Sequence, residues 1–357
     1  MIDIFKNFAG GNIRVRSVNG KNVSIEQEIR DTSEWWFYWC FGAETDEDGE
    51  YVFQFVNGDV IGPWGVALSF DRENWFYDKN LTFISRNSFK YPFQKGKKVY
   101  FSFSLPYTEK DFEKFLSGGV SIKKCFFCKT ERGRDLFLYE TGNRRSENVF
   151  LITARHHACE SAASYALEGL ISRLTEKDNA IGRDFALDIV PFVDLDGVED
   201  GDQGKSRAPH DHNRDYLPQP LYNVTKALYA RYGNRGIRFG ADLHSPAKYG
   251  GIHDRMSLIE GDERISGAQR RFSDILERET AGAAIEYKRK DNIIFGTHWN
   301  KGSRPDSLSF FIAHGAELAF TFEHPYFGNR DAPYMPGELR DFGRRMADAF
   351  VRYYEEE

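Results

Sequence analysis

The pattern of predicted secondary structure changes near residue 117 and divides the chain into two parts. Before this point, short aromatic-rich runs are separated by Asn-Gly, Asp-Gly and Gly-Pro turn signals, which is typical of antiparallel strands. After it, continuous apolar strands alternate with amphipathic helices, which is typical of an α/β domain. We therefore predict an antiparallel β-sandwich domain over residues 1–117 and an α/β domain over residues 118–357.

Histidine and tryptophan are distributed unequally between these two parts. All nine histidines follow residue 155, whereas five of the six tryptophans precede residue 76. Histidine is a common metal ligand and acid–base group, so we expect the chemistry in the second part. The aromatic side chains of the first part are expected mainly to fill its core.

Composition argues against several classes of protein. The formal charge of −6 argues against electrostatic binding of nucleic acid. No apolar stretch approaches the roughly 18 residues of a membrane span, and the N-terminus lacks the apolar core of a signal peptide. Four cysteines are too few for a disulfide framework. We therefore expect a cytoplasmic protein without nucleic-acid or membrane partners, and the sequence predicts no oligomeric state.

The first candidate for chemistry is the segment 154–160 (ARHHACE), directly after the predicted strand VFLITA. His157 and Glu160 are three residues apart at this strand-to-helix junction, so both side chains can reach one ion. Ligands in α/β sheets bind beyond the carboxyl ends of the strands. Taken alone, the pair is equally consistent with an exposed histidine beside a helix-terminal glutamate. His156 lacks a carboxylate three residues later, so we predict a neighbour rather than a ligand.

A third candidate ligand lies at the end of another predicted strand. His244 ends the run GADLH, well downstream of Glu160. Two histidines and a glutamate supply three protein ligands and leave the fourth zinc position open, which is typical of catalytic zinc. We therefore predict one Zn²⁺ ion held by His157, Glu160 and His244.

The polar segment 201–216 follows the predicted strand FALDIVPFV. It contains Lys205, Arg207, Asn213 and Arg214. Guanidinium and amide groups donate to carboxylates, and arginine can bind a carboxylate bidentately. A solvated surface loop would have the same composition, so the segment by itself leaves both interpretations open.

Glu323 ends the predicted strand ELAFTFE. At the same sheet edge as His157 and His244, its carboxylate could accept a proton from metal-activated water. Burial there would raise its pKa toward neutrality. An ordinary strand-end carboxylate facing water is the alternative.

In combination, these segments resemble the M14 zinc carboxypeptidases, the carboxypeptidase A-like family. HxxE, a long spacer, a D-x-N-R segment, a further histidine after a strand and a late glutamate occur in that family's order. The runs SEWWFYWCFGA, YVFQFVNGD and FSFSLPYTEKDFEKFL are similar to the cytosolic carboxypeptidase branch, which carries a β-sandwich before the catalytic domain. The resemblance covers most of the chain. It implies a mixed, eight-stranded-type sheet flanked by helices, the zinc carboxypeptidase fold, for the second domain.

The resemblance implies a role for each matching residue. The three candidate ligands match the family's zinc ligands, and Glu323 matches its general base and acid. Asn213 and Arg214 match the pair that binds the C-terminal carboxylate of the substrate. Asp211 matches the carboxylate that orients a zinc-binding histidine.

One position departs from the pattern that the resemblance implies. The arginine that polarises the scissile carbonyl would fall near residue 204, where this chain has Gly204 followed by Lys205. We expect Lys205 or Arg207 to stabilise the developing oxyanion instead. The sequence does not single out a match for the family's mobile tyrosine.

We therefore predict a zinc metallocarboxypeptidase that acts on the C-terminus of a peptide or protein. A zinc amidase for cell-wall peptides or N-acyl amino acids would need the same water activation, so that hypothesis stays open. An inactive binding module is a third hypothesis, and the complete ligand set with Glu323 argues against it. The sequence does not predict the side-chain preference or the physiological substrate.

Overall fold

The structure, a computed structural model, describes residues 1–32, 37–176, 178–302 and 304–356. Within these ranges the chain forms two five-stranded sheets in its N-terminal part and one seven-stranded sheet in its C-terminal part. Residues 33–36, the start of the predicted run SEWWFYWCFGA, lie outside the described residues. No helix in the described ranges has the length and apolar character needed to cross a membrane.

Ten short strands build the two N-terminal sheets. They are β1 (Ile2–Phe5), β2 (Arg14–Asn19), β3 (Asn22–Glu26), β4 (Cys40–Thr45), β5 (Gly49–Phe55), β6 (Ala67–Ser69), β7 (Phe76–Tyr77), β8 (Phe83–Ser85), β9 (Ser88–Phe93) and β10 (Val99–Ser102). One sheet has the order β1-β4-β10-β6-β7 and the other β2-β3-β5-β9-β8. The neighbouring strands are antiparallel except for the pair β3 and β5, which is parallel. The predicted antiparallel sandwich is therefore confirmed, with one mixed sheet.

Aromatic side chains fill the space between these two sheets. Phe41 and Phe101 from one sheet contact Phe53 and Phe89 from the other, with ring centroids 5.1 to 6.4 Å apart. All four rings are buried. Alternation along the strands turns these residues inward, so the aromatic runs of the sequence form the core of the sandwich as predicted.

The C-terminal sheet is mixed, with the order β11-β12-β14-β13-β15-β17-β16. Its strands are β11 (Lys123–Lys129), β12 (Asp135–Gly142), β13 (Val149–Ala154), β14 (Ala186–Val190), β15 (Phe239–His244), β16 (Ser257–Ile259) and β17 (Leu318–Glu323). The four central strands β14, β13, β15 and β17 are parallel, and the outer three are antiparallel to their neighbours. The described residues thus give seven strands, one fewer than the eight that the family resemblance implies.

Helices flank this sheet. The helices of the chain are α1 (Lys79–Thr82), α2 (Glu109–Ser117), α3 (Ser161–Leu174), α4 (Ala180–Asp184), α5 (Leu195–Asp200), α6 (Asn223–Tyr232), α7 (Ser266–Glu279), α8 (Ser307–Ala313) and α9 (Pro336–Glu355). Helices α3 and α9 approach closely because glycine stands at their crossing. A Cβ at Gly169 would lie 1.9 Å from the carbonyl oxygen of Arg340, and one at Gly343 would lie 1.9 Å from that of Ala166.

The order of the parallel strands decides where polar side chains meet. Strands β13, β15 and β17 are neighbours, so their carboxyl ends lie at one edge of the sheet. His244 and Glu323, the last residues of β15 and β17, are direct register partners. The connection from β13 to α3 carries His157 and Glu160 to the same edge.

Candidate active site

His157, Glu160 and His244 come together at the carboxyl edge of the seven-stranded sheet. The Nδ1 atom of His157 lies 2.8 Å from Oε1 of Glu160, and the Nδ1 atom of His244 lies 2.8 Å from Oε2. The potential ligand atoms of the three residues all lie within 4.8 Å of one another. Glu160 stands at the N-cap position of α3 and is fully buried. The structure therefore brings together the three side chains predicted to hold a metal ion.

The donor atoms of this cluster fit a cation. Oε2 of Glu160 is buried and makes no hydrogen bond with any described residue, although Nδ1 of His244 is 2.8 Å away. In both His157 and His244 the Nδ1 atom faces Glu160. The Nε2 atom of His157 faces the carboxylate of Asp211, and the Nε2 atom of His244 faces that of Asp242. A proton held on Nε2 leaves Nδ1 free to bind a metal. Two histidine nitrogens and a glutamate are a ligand set of catalytic zinc sites.

The charge of Glu160 is stabilised inside the protein. Lys205 donates a hydrogen bond from Nζ to Oε1 of Glu160 and another to the carbonyl oxygen of Ser245, at 2.9 Å. Burial by itself would raise the pKa of Glu160, but Lys205, His157 and His244 outweigh it and hold that pKa well below its usual range. Glu160 is therefore ionised at neutral pH, as a metal ligand must be.

Glu323 lies beside His244 on the neighbouring strand. Its side chain is buried, and Oε2 makes no hydrogen bond with any described residue. Burial, reinforced by the nearby charge of Glu160, raises the pKa of Glu323 to about 7. A carboxyl group with this pKa can both accept and return a proton near neutral pH.

Asp211 connects His157 to the turn that carries Asn213 and Arg214. Both carboxylate oxygens of Asp211 lie 3.2 Å from Nε2 of His157, and Oδ1 also accepts a hydrogen bond from the backbone N–H of Asn213 at 2.7 Å. The turn is a short 3₁₀ helix, His212–Arg214. Asp211 therefore orients the imidazole of His157 and fixes the adjacent turn.

Asn213 and Arg214 differ in the contacts that their polar side-chain groups already make within the protein. The side-chain oxygen of Asn213 accepts from the backbone N–H of Ser307 at 3.1 Å, and its amide nitrogen lies 3.2 Å from Nε2 of His244. Arg214 is partly exposed and donates from its guanidinium to the carbonyl oxygen of Asn213 at 2.5 Å. Among the described residues, no carboxylate lies within ion-pair distance of Arg214. Arg214 thus presents a free positive charge close to the ligand cluster.

The structure does not bring Arg207 to the ligands. Its buried guanidinium donates to Asp194 at 2.5 Å and to Asp202 at 3.1 Å, and it lies 3.8 Å from Asp31. Burial opposes the charge, but these carboxylates outweigh that effect and raise the pKa of Arg207 further above its usual value. Of the two residues predicted to stabilise an oxyanion, Lys205 alone contacts a candidate ligand.

Gly204 explains the departure at the position where the family resemblance implies an arginine. Its φ of +83° lies in the left-handed region, and a Cβ there would lie 2.3 Å from the backbone nitrogen of Ala158. The Gly204 backbone N–H donates to Asp31 at 2.8 Å. The loop therefore passes so close to the segment of His157 that no side chain fits at residue 204.

Sequence reasoning missed Asp242 as part of this site. Asp242 and His244 are two residues apart on β15, so their side chains point to the same side of the sheet. This Asp-x-His spacing at a strand end was the available signal. His156 lies 2.9 Å from Asp242 through Nδ1 and 2.8 Å from the hydroxyl of Tyr216 through Nε2. Both ring nitrogens of His156 thus already face hydrogen-bond partners, and its role as a neighbour of the ligands stays a prediction.

Comparison with solved structures identifies the fold. The metallo-carboxypeptidase from Burkholderia cenocepacia aligns with a TM-score of 0.80 over 99% of this chain and 99% of that chain, at 17% sequence identity. The chain therefore has the metallo-carboxypeptidase fold, including the N-terminal sheets, because the alignment covers both parts.

Comparison with proteins of similar sequence adds to the comparison of folds. The chain is 24% identical to cytosolic carboxypeptidase 6 of Caenorhabditis elegans, over 90% of this chain and 79% of the relative. It is 27% identical to cytosolic carboxypeptidase 3 of Bos taurus, over 81% of this chain and 31% of that longer protein. No protein-family model matches the chain. The chain thus has the metallo-carboxypeptidase fold and is similar in sequence to proteins named cytosolic carboxypeptidases, in agreement with the resemblance of its sequence motifs.

Proposed function

We propose that the protein is a zinc-dependent carboxypeptidase that removes residues from the C-termini of peptides or proteins. The observation that carries the proposal is the convergence of His157, Glu160 and His244 beside Glu323 at one sheet edge. When bound there, Zn²⁺ would acidify a water molecule and polarise the scissile carbonyl. The other steps fall to side chains of this chain.

Glu323 is proposed to move the proton. One of its oxygens is buried without a hydrogen-bond partner among the described residues, so it is free to accept a proton from a water molecule. Burial raises the pKa of Glu323 above its usual range, which makes its carboxylate a stronger base for this proton. The protonated carboxyl group then donates it to the leaving amine, and the carboxylate is restored.

Arg214 is proposed to bind the terminal carboxylate of the substrate. Its guanidinium is partly exposed and forms no ion pair with a described residue, so it can bind an incoming carboxylate bidentately. Asn213 holds the turn against the N-terminus of α8 through Ser307 and thereby positions Arg214. A fixed cation next to Asn213, whose side chain contacts His244, would limit cleavage to chain ends.

Lys205 is proposed to stabilise the developing oxyanion, in place of the arginine that Gly204 excludes. Its ammonium is held between Glu160 and the carbonyl oxygen of Ser245. Burial lowers the pKa of Lys205, but Glu160 outweighs this effect and raises it, so the charge persists at neutral pH. Arg207 is less suited to this role because its guanidinium is bound to Asp194 and Asp202 and contacts none of the candidate ligands.

Two wider features of the protein belong to this proposal. Relatives named cytosolic carboxypeptidases and four free cysteines support a cytoplasmic location.

We also propose that residues 1–117 form one domain and residues 118–357 the catalytic domain. The aromatic core of the sandwich and the core of the seven-stranded sheet support this division.

Mass spectrometry of a peptide library with free C-termini tests the reaction directly. We expect loss of C-terminal residues, abolished by a chelator and restored by Zn²⁺. The same peptides with amidated C-termini should resist cleavage, because Arg214 would then have no carboxylate to bind. Equal cleavage of amidated and free peptides would favour the zinc amidase hypothesis, and no cleavage of either with zinc bound would favour a binding module.

The role of Glu323 is tested by Glu323→Gln. We expect turnover to fall by about 10²–10⁴-fold while bound zinc stays at the wild-type level, because the amide cannot accept the proton. Glu317→Gln, just before the start of the same strand, is the matched control and should leave turnover unchanged. Full activity of Glu323→Gln with normal zinc content would exclude Glu323 as the base.

A further inference from the structure

A second buried carboxylate lies directly behind the proposed metal site. Asp242 is fully buried, and its Oδ2 atom lies 2.7 Å from Nε2 of His244, two residues along β15. The corresponding contact of the other histidine, from His157 to Asp211, is longer, at 3.2 Å, and Asp211 is partly exposed. The two candidate histidine ligands are therefore held by carboxylates in different environments.

Four donors surround the carboxylate of Asp242. Oδ1 accepts from the hydroxyl of Thr153 at 2.8 Å and from Nδ1 of His156 at 2.9 Å. Oδ2 accepts from Nε2 of His244 and from the hydroxyl of Ser307. An ionised carboxylate offers about four acceptor sites, so each site is used.

The donors to Asp242 come from separate elements of the fold. Thr153 belongs to β13, His156 to the connection between β13 and α3, and Ser307 to the N-terminus of α8. Tyr216 fixes His156 in turn through a contact of 2.8 Å. The position of Asp242 is thus determined from several directions, which leaves its carboxylate little freedom to rotate.

We propose that Asp242 is a positioning residue that keeps His244 in its metal-binding form, and that His156 and Ser307 hold Asp242 in place. The carboxylate of Asp242 can only accept hydrogen bonds, so Nε2 of His244 carries a proton and donates it to Asp242. The free electron pair of the His244 imidazole is then on Nδ1, which faces Glu160. This inference rests on the proposed zinc site but not on peptidase activity.

The same residues also bear on how many ions the site holds. His156, Asp242 and His244 lie close enough to hold an ion of their own. Their facing atoms, however, are already hydrogen-bonded to one another, and Nε2 of His156 is bonded to Tyr216. We therefore expect one zinc ion per chain, and two tightly bound ions would overturn the positioning role.

Asp242→Asn tests the proposal through metal affinity and the spectrum of bound cobalt. The amide can donate as well as accept, so His244 would lose its fixed proton position. We expect zinc to bind about 10–100-fold more weakly in competition with a chelator. The visible absorption bands of the Co²⁺-substituted protein should also shift, because the His244 ligand is reoriented.

Asp188→Asn is the matched control. Asp188 is an equally buried carboxylate on the neighbouring part of the same sheet, and it accepts from the hydroxyl of Tyr232 at 2.6 Å and from Arg231 at 3.0 Å. This variant should lower thermal stability but leave zinc affinity and the Co²⁺ spectrum unchanged. Equal weakening of zinc binding in both variants, or wild-type affinity in Asp242→Asn, would overturn the proposal.

Two milder variants cover the case in which Asp242→Asn does not fold. His156→Phe and Ser307→Ala each remove one donor to Asp242 without changing a candidate ligand, and each should weaken zinc binding several-fold. Wild-type zinc affinity in both would overturn the proposal. Failure of the wild-type protein to bind zinc would instead refute the proposed function, so the two failures are distinguishable.

Discussion

The Sγ atom of Cys159 lies 3.1 Å from the hydroxyl oxygen of Tyr326, within the aromatic core of the N-terminal sandwich. Cys159 directly precedes Glu160, and Tyr326 follows Glu323 by three residues. The contact therefore joins the segment of a candidate zinc ligand to the segment of the proposed base. The ring of Tyr326 also packs against Phe103 of the sandwich at 5.4 Å between centroids. The N-terminal sheets thus support the site directly.

Substitutions at Tyr326 measure this support. Tyr326→Ala should lower the free energy of unfolding by about 3–5 kcal/mol, because it leaves a cavity in the aromatic core of the sandwich. Turnover should fall as well, since the segment after Glu323 loses its anchor. Tyr326→Phe removes only the hydroxyl contact and should cost about 1 kcal/mol with turnover largely kept. Urea unfolding and peptide turnover of both variants are the measurements, and equal turnover in both would contradict the support role.

The close approach at Gly204 predicts an effect on the metal site. Gly204→Ala combines a left-handed backbone with a Cβ 2.3 Å from the backbone nitrogen of Ala158. We expect a loss of stability beyond the roughly 1–2 kcal/mol of the left-handed conformation, and weaker zinc binding because the segment of His157 must shift. Gly133→Ala, with the same φ of +83° and no atom within 4 Å of its Cβ, isolates the conformational cost. Thermal unfolding and zinc titration would show no difference between the variants if the contact were unimportant.

Substitution of Lys205 is predicted to reduce turnover, whereas substitution of Arg207 is predicted to reduce stability. Lys205→Met should reduce kcat by about 10²–10³-fold and retain zinc, because an oxyanion donor is lost. Arg207→Met should instead lower the free energy of unfolding by about 3–5 kcal/mol, since Asp194 would be left buried without its guanidinium partner. Asp202 would keep its ion pair with Arg30. Steady-state kinetics and denaturant unfolding of the two variants separate these outcomes. A stable Arg207→Met protein with a collapsed kcat would reverse the assignment.

Strand ends were predictable from the sequence, and so was the approximate position of the site. The run VFLITA coincides with β13, and ELAFTFE contains β17, because buried parallel strands are continuous apolar runs with clear ends. His244 ends β15 as expected. Because ligands of α/β sheets bind beyond the carboxyl ends of the strands, the sequence placed the candidate ligands at one sheet edge. The neighbouring positions of β13, β15 and β17 in the structure bring them together there.

The contacts that a side chain makes with distant parts of the chain were not predictable from the sequence. Arg207 was a plausible oxyanion donor until Asp31, far away in the sequence, was found beside it. Gly204 gave no sign of its contact with Ala158, because a close backbone approach leaves no periodic pattern. The Asp-x-His spacing pointed to Asp242, but its contacts with His156 and Ser307 were not predictable because both residues lie on other elements. The parallel pairing of β3 with β5 likewise depends on tertiary packing.

His212 predicts how stability changes with pH. Its ring is buried and stacks on Tyr222 with centroids 3.7 Å apart, and burial lowers its pKa to about 4. In the unfolded chain the ordinary pKa of about 6.5 applies, so acidification protonates the unfolded state first. The stability contribution is therefore complete above pH 6.5 and is lost as the pH falls through the interval from about 6.5 to about 4. At pH 5 the loss from His212 should be about 2 kcal/mol.

His212→Phe keeps the stacked ring and removes the titration, so its stability should fall less on acidification than that of the wild-type protein. Denaturant unfolding at pH 7 and pH 5, with equal zinc in all samples, gives the difference between the two proteins. Other titrating groups, including the buried His324, contribute to both and cancel. His298→Asn, at an exposed histidine, should reproduce the wild-type dependence. Parallel pH profiles for His212→Phe and the wild type would mean that His212 is protonated equally in the folded and unfolded states.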